Sequence, residues 1–157
     1  MKVMIVCTSV SHGNTRKVAE VMGEVLRARV VEPEQVGPAE LAAADLVGFG
    51  SGIFLRAFHP RLRDFVEGLA VESRGSAFVF ATSGFPEARC QRFSRPLVGA
   101  LERKGFQVAG TFSCRAFDTY LPFKPVGGIR KGRPNADDLA AARAFAEGLR
   151  DRIGARS

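Results

Sequence analysis

The stretch Cys7-Thr8-Ser9-Val10-Ser11-His12-Gly13-Asn14-Thr15 gathers small and hydroxyl-bearing residues between an apolar run and an amphipathic one. Residues of these types at a strand-to-helix junction are suited to holding a phosphate. Val3 to Val6 is short and apolar without alternation, as in a strand covered on both faces. Val18, Met22, Val25 and Leu26 then recur at helical spacing, so a helix begins near Asn14 or Thr15. Its first turn offers backbone N–H groups and the positive end of the helix dipole, and Thr8, Ser9, Ser11, Asn14 and Thr15 add side-chain donors. Gly13 permits positive φ and close backbone approach. A hydroxyl-capped helix start that binds nothing is the alternative this loop alone leaves open.

The residue types discriminate among the phosphate chemistries. A nucleotide P-loop needs GxxxxGK[ST] and a dinucleotide fold needs GxGxxG; neither string is present. A cysteine phosphatase would follow Cys7 with an arginine six positions on, but that position is Gly13 and Arg16 comes too late. What remains is a loop with no cation inside it and no catalytic group, suited to anchoring a cofactor phosphate that is not itself transferred. Flavin mononucleotide (FMN) fits that description.

The elements that must position this loop follow from periodicity. Strands are expected at Lys2 to Cys7, Ala28 to Val31, Asp45 to Gly50, Ala77 to Ala81 and Phe106 to Ser113. Helices are expected from Asn14 to Leu26, Ala39 to Ala44, Pro60 to Leu69 and Phe93 to Lys104, the last stopping at Gly105. A final helix turns Leu139, Ala142, Phe145, Ala146, Leu149 and Ile153 inward. This alternation describes a three-layer α/β protein, a doubly wound five-stranded parallel sheet of order 2-1-3-4-5 with helices on both faces.

In such a sheet, ligands sit at the carboxyl ends of the first and third strands, where the order reverses. The loop after the third strand reads Gly50-Ser51-Gly52-Ile53-Phe54-Leu55-Arg56-Ala57-Phe58-His59. Its glycines would let backbone approach a flat ring, and Phe54 and Phe58 offer apolar surface to cover it. Thr82-Ser83-Gly84-Phe85, after the fourth strand, repeats the same chemistry. Three neighbouring strand ends thus provide hydroxyls, glycines and aromatics, as a planar heterocycle with an anionic tail requires. Phe54, Phe58 and Phe85 as core residues are the competing assignment. A response-regulator receiver is excluded, because the third strand ends in Phe49-Gly50-Ser51 rather than a carboxylate and no acidic pair follows the first.

With 157 residues, 46% of them hydrophobic, the chain is expected to be one domain with a sizeable core. No apolar run is long enough for a membrane span, and the first strand begins at the N-terminus without a secretory leader, so a cytoplasmic protein is expected. Cys7, Cys90 and Cys114 are odd in number and lack CxxC spacing; with only His12 and His59 beside them, neither a disulfide framework nor a metal site is indicated. Cys7 is expected to be buried, whereas Cys90 and Cys114 lie near loops.

The strings TSVSHGNTRKVA and GFGSGIFLRAFHPRLRDFVEGL, with FATSG, TFSCRAFDT and GGIRKGRPN further on, resemble the flavodoxin-like family over nearly the whole chain. The second string is especially similar to a bacterial subgroup that includes flavodoxin-family proteins of anaerobes and, more distantly, menaquinone-dependent protoporphyrinogen oxidase. The resemblance implies a single flavodoxin-like domain over residues 1–157, noncovalent FMN, and electron transfer through the isoalloxazine ring. It also implies that Thr8, Ser9, His12, Gly13, Asn14 and Thr15 hold the phosphate, while Ser51, Gly52, Ile53 and Phe54 with Thr82, Ser83, Gly84 and Phe85 hold the ring.

Two departures bear on function. Electron-carrier flavodoxins are acidic and sandwich the flavin between tryptophan and tyrosine, whereas this chain has net charge +7, no Trp and a single tyrosine, Tyr120. Residues 86 to 134 hold ten Lys or Arg against Glu87, Glu102 and Asp118, which accounts for the whole excess. Charge of that kind near the cofactor would steer an acidic redox partner or a small anionic substrate. Nucleic acid is discounted, because no recognised module surrounds the patch. An FMN-dependent oxidoreductase acting on a quinone or small anion, with the loop from Cys114 to Pro134 as its lid, is the first alternative. A cofactor-free binding module is the second. A contact in a homodimer is another use for that long loop.

Overall fold

The computed structural model of the protein describes residues 1–8, 13–54, 57–72, 74–83, 87–115 and 135–156. Strand β1 (Val3–Thr8) is buried along its whole length. Helix α1 (Asn14–Leu26) follows with the bounds its periodicity predicts, burying Val18, Met22 and Leu26. Strand β2 (Arg29–Val31), a 3₁₀ turn at Pro33–Gln35 and helix α2 (Pro38–Ala43) lead to β3 (Leu46–Phe54). A two-residue strand β4 (Ala57–Phe58) folds back on β3, and α3 (Pro60–Glu67) follows. The chain continues through β5 (Ser76–Ser83), α4 (Glu87–Arg103), β6 (Gln107–Arg115) and α5 (Ala136–Arg156).

The main sheet runs in the order β2-β1-β3-β5-β6, all neighbours parallel, which is the predicted 2-1-3-4-5 once β4 is set aside. Sheet alternation sends side chains to two cores. On one face Met4, Val6, Val47, Phe49, Ala77 and Val79 meet Leu62 and Val66 of α3 and Leu97, Ala100 and Leu101 of α4. On the other, Ile5, Cys7, Leu46, Phe78 and Phe80 meet Val18 and Met22 of α1 and Ala142, Ala146 and Leu149 of α5.

Three sequence expectations are corrected. Residues 50–59 are not simply a loop: β3 runs on to Phe54, and Ile53 and Phe54 pair antiparallel with Phe58 and Ala57. The hairpin satisfies backbone groups that a bare loop would leave to water. Phe58 is 1% exposed and belongs to the α3/α4 core, so it does not cover a ring. Helix α4 starts at Glu87 rather than Phe93 and contains Pro96, which its sequence tolerates only with loss of a backbone hydrogen bond.

At the strand-start edge, local clamps tie the turns around β5 and β6. Arg74 has a side chain 5% exposed; its Nε donates to the Lys104 carbonyl (3.1 Å), its Nη2 donates to the Ala70 carbonyl (2.8 Å), and the guanidinium lies over the Phe106 ring. Gly105, with φ +104, lets the α4–β6 turn press against the Glu72 carbonyl, where any Cβ would overlap. Among the described helices, none is long and apolar enough to cross a membrane.

On the α1/α5 face, β3 presents Gly48 and Gly50, and the rings of Phe78 and Phe80 on β5 occupy the space where Cβ atoms would stand. Gly50→Ala should therefore destabilise the fold by about 1–3 kcal/mol through overpacking, read as a lower urea midpoint. Adding Phe80→Leu to that variant should return part of the loss, a coupling that a double-mutant cycle measures. Additive losses would show that the ring and the glycine do not interlock.

Candidate functional site

The carboxyl ends of β1, β3 and β5 lie side by side at one edge of the sheet, because the register pairs Thr8 with Ser51 and Gly52 with Thr82. Helix α1 begins at the same edge. Its N-cap, Gly13, is left-handed (φ +64) and supplies no side-chain cap to the first turn. That turn has no carboxylate and instead carries Arg16 and Lys17, cations where the helix dipole favours an anion.

Threonine hydroxyls furnish the row. Thr15 Oγ1 and Thr82 Oγ1 stand 2.7 Å apart, both buried, and either can be the donor. One O–H of the pair remains for a further acceptor. A Cβ on Gly52 would stand 3.7 Å from Thr82 Oγ1 and 3.8 Å from Thr15 Oγ1, so the glycine keeps a space open before both hydroxyls. Thr8 is 1% exposed and its Oγ1 finds no hydrogen-bond partner among the described residues. A buried hydroxyl left unpaired costs about 1–3 kcal/mol, a cost that an anionic oxygen at this edge would remove.

The glycine track of β3 explains why the space exists here. Gly48, Gly50 and Gly52 fall on one face, opposite Phe78, Phe80 and Thr82 of β5 in register. Phenyl rings fill the first two places and make core. At the third the partner is a threonine, and a Cβ on Gly52 would meet its hydroxyl at ordinary contact distance instead of overlapping a ring.

Ser51 and His59 brace the adjoining hairpin. Ser51 Oγ donates to the Gly52 carbonyl (2.8 Å) and accepts from the His59 backbone N–H (3.0 Å). The His59 imidazole caps α3, its Nδ1 accepting from Arg61 N–H (3.1 Å). Burial holds that imidazole below its ordinary pKa, and the positive charges of Arg61 and Arg63 act in the same direction. Cys7 lies just behind the row, wholly buried, and its thiol is pushed up to about 12, chiefly by burial. A thiolate nucleophile at Cys7 is thereby excluded.

Of the residues expected to bind a ligand, the structure brings Thr8, Gly13, Asn14, Thr15, Ser51, Gly52, Ile53, Phe54, Thr82 and Ser83 to this one edge. The Ser51 hydroxyl is committed to the chain itself, as is the His59 acceptor. Ser9, Ser11, His12, Gly84 and Phe85 lie outside the described residues, as do Tyr120, Lys124, Arg130, Lys131 and the expected lid that follows Arg115. Of the basic residues between 86 and 134, Arg103 and Lys104 sit at the opposite, strand-start edge, where Arg103 pairs with Glu67 (3.7 Å) and Lys104 Nζ donates to the Glu67 carbonyl (2.9 Å). They do not flank the site. Among the described residues no group of three or more His, Cys, Asp or Glu is placed to hold a metal ion.

The roles of Ser51 and His59 are absent from the sequence expectations. The signal for His59 is its position before Pro60: proline has no N–H, so the first amide of α3 that needs an acceptor is that of Arg61.

Comparison with known proteins agrees with this architecture. The model of the flavodoxin domain family matches residues 5–102. An uncharacterised protein of Methanocaldococcus jannaschii is 36% identical over 149 residues, which is 95% of this chain and 98% of that one. Among solved structures, a short-chain flavodoxin associated with a non-canonical PDU bacterial microcompartment superposes with a TM-score of 0.72 at 17% identity, over 98% of this chain and 99% of that one. Flavodoxin 2 of Bacillus cereus gives 0.70 at 17%, over 97% and 99%. The fold also recurs within a larger protein, the rubredoxin oxygen:oxidoreductase of Desulfovibrio gigas, with a TM-score of 0.66 at 18% identity; there it covers 98% of this chain and 36% of that one. The strand order and the family match together show that the chain belongs to the flavodoxin family.

Proposed function

We propose that this protein binds FMN at the β1/β3/β5 edge and transfers electrons. The observation that carries the reading is the buried Thr15–Thr82 hydroxyl pair facing Gly52 at the start of α1, with the Thr8 hydroxyl, unpartnered among the described residues, at the same strand-end edge. These residues fit a phosphate ester: hydroxyl donors are buried where the α1 N-terminus adds its dipole. Thr8, Gly13, Asn14 and Thr15 would hold the phosphate, with Ser9, Ser11 and His12 beside them in sequence, and Gly52, Ile53, Phe54, Thr82 and Ser83 would lie against the ring, with Gly84 and Phe85 following. Bound FMN supplies one- and two-electron transfer through its isoalloxazine ring. The chain's own part is to bind and orient that ring, to keep its inner edge dry, and to leave its outer edge open to a partner.

Turnover with a quinone or a small anion, in the absence of a protein partner, would favour the oxidoreductase reading. A purified protein that takes up no flavin would leave a binding module on the same fold. Absorbance after reconstitution with FMN separates the binding module from the two flavin readings, and turnover with a quinone separates those two.

Thr8→Val should leave the stability of the apoprotein unchanged or raised, since it removes an unpaired polar group. The same substitution should weaken FMN by about 1.5–3 kcal/mol, the worth of a hydrogen bond to a charged acceptor, and leave riboflavin nearly unchanged. Thermal melts and fluorescence quenching read the two effects. Equal losses for FMN and riboflavin would remove the phosphate from this position.

We further propose an acidic redox partner, on the charge of residues 86 to 134. Association should slow as salt rises and, at low salt, should slow when Lys124, Arg130 and Lys131 are together changed to Gln. A partner whose association rate in stopped flow ignores both changes is not guided by these charges.

A further inference from the structure

His59 is the one imidazole of the described chain that is tied on both its backbone and its side chain. Its N–H donates to Ser51 Oγ on β3, and its Nδ1 accepts from Arg61 N–H in the first turn of α3. Between these two anchors stands the β3–β4 hairpin, where Ile53 pairs with Phe58 and Phe54 with Ala57. We propose that His59 is a proton-sensitive positioning residue: its neutral imidazole fixes the base of the hairpin to α3, and protonation releases that base and loosens the wall at Gly52 to Phe54. The consequence for cofactor binding rests on the proposed function; the effect on the hairpin does not.

The geometry allows only one protonation state. With Nδ1 accepting, the ring proton is on Nε2. A second proton on Nδ1 would set two donors against each other, and the cap on the Arg61 amide would be lost. The surroundings reinforce the neutral form. Arg61 and Arg63 flank the ring from α3, with Arg61 engaged by Glu32 and Glu34 and Arg63 Nε donating to the Phe58 carbonyl (3.0 Å). Burial and the two arginines lower the imidazole pKa, and the Glu32 carboxylate opposes them. A base whose folded pKa lies below its unfolded value contributes stability above the unfolded pKa, and that contribution is lost as pH falls through the folded one. The release therefore belongs to the acid side of the ordinary imidazole range.

The test uses the full chain, first without flavin. Amide exchange of Ile53, Phe54, Ala57 and Phe58, corrected for intrinsic rates and referenced to α5, is followed from about pH 8 to about pH 4.5 while NMR records the His59 titration. In the wild type the hairpin amides should exchange about fivefold faster once His59 is charged, the change a typical helix cap is worth. His59→Asn keeps an acceptor that cannot be charged, and should hold the slow rate throughout; His59→Ala should be fast at every pH. FMN affinity is then compared at the two ends. Every other group that titrates is common to both proteins, so the wild-type-to-Asn ratio isolates His59, and it should fall about fivefold at acid pH. Hairpin exchange that ignores the His59 titration in the wild type, or an Asn variant that shows the same acid acceleration, overturns the proposal. Absence of FMN binding at every pH, with the exchange behaviour as expected, would overturn the cofactor reading and leave the role of His59 in place.

Discussion

The interlock between β3 and β5 is the constraint on which the rest of this molecule depends. The Phe78 and Phe80 rings fit only because β3 offers Gly48 and Gly50 beneath them. A slip of one residue would bring Val47 or Phe49 under the rings and reverse every side chain of a central strand, so the register is fixed by packing as well as by hydrogen bonds. That register also sets Gly52 opposite Thr82, and Thr82 then meets Thr15 of α1. The geometry of the polar edge is inherited from an apolar contact two layers below it.

The two edges of the sheet are finished differently. At the strand-start edge, turns clamp one another: Arg74 bridges residues 70 and 104, Gly105 nests against Glu72, and the Lys2 N–H donates to the Asp45 carboxylate (2.6 Å). Most polar groups there are answered within the chain, although Arg74 Nη1 is buried without a partner among the described residues. At the strand-end edge the hydroxyls of Thr8, Thr15 and Thr82 are buried with donor capacity in hand. A fold whose strands are locked in register below can hold such groups in place at its top without the collapse that would otherwise satisfy them.

Much of this was legible in the sequence, and what was not has a physical cause. The bounds of α1, the parallel order and the inward faces of α5 follow from local periodicity, because one face of each helix meets the sheet. The continuation of β3 does not, since Gly50-Ser51-Gly52 has poor strand propensity and is extended through its pairing with β1, β5 and β4. Phe58 could not be told from a ring-covering aromatic by type alone; only its place on β4 turns it into the α3 core. The Thr15–Thr82 contact joins residues 67 positions apart, beyond any local pattern. The strand-end hydroxyls were identified by their chemistry, whereas the commitment of Ser51 to His59 required the hairpin.

The glycine track carries one more implication, for how the polar strand end could be moved or erased. Along β3 the same backbone serves both the ring-packed core and the polar strand end, and the switch between them is the volume of a single β5 residue, phenylalanine at 78 and 80 and threonine at 82. The boundary between ring-filled interior and the polar strand end is thus one side chain thick and is drawn by the neighbouring strand, not by the strand that lines it. An engineer wishing to extend the polar end would work on β5 at 80, and one wishing to erase it would work on β5 at 82. Neither would need to touch the glycines.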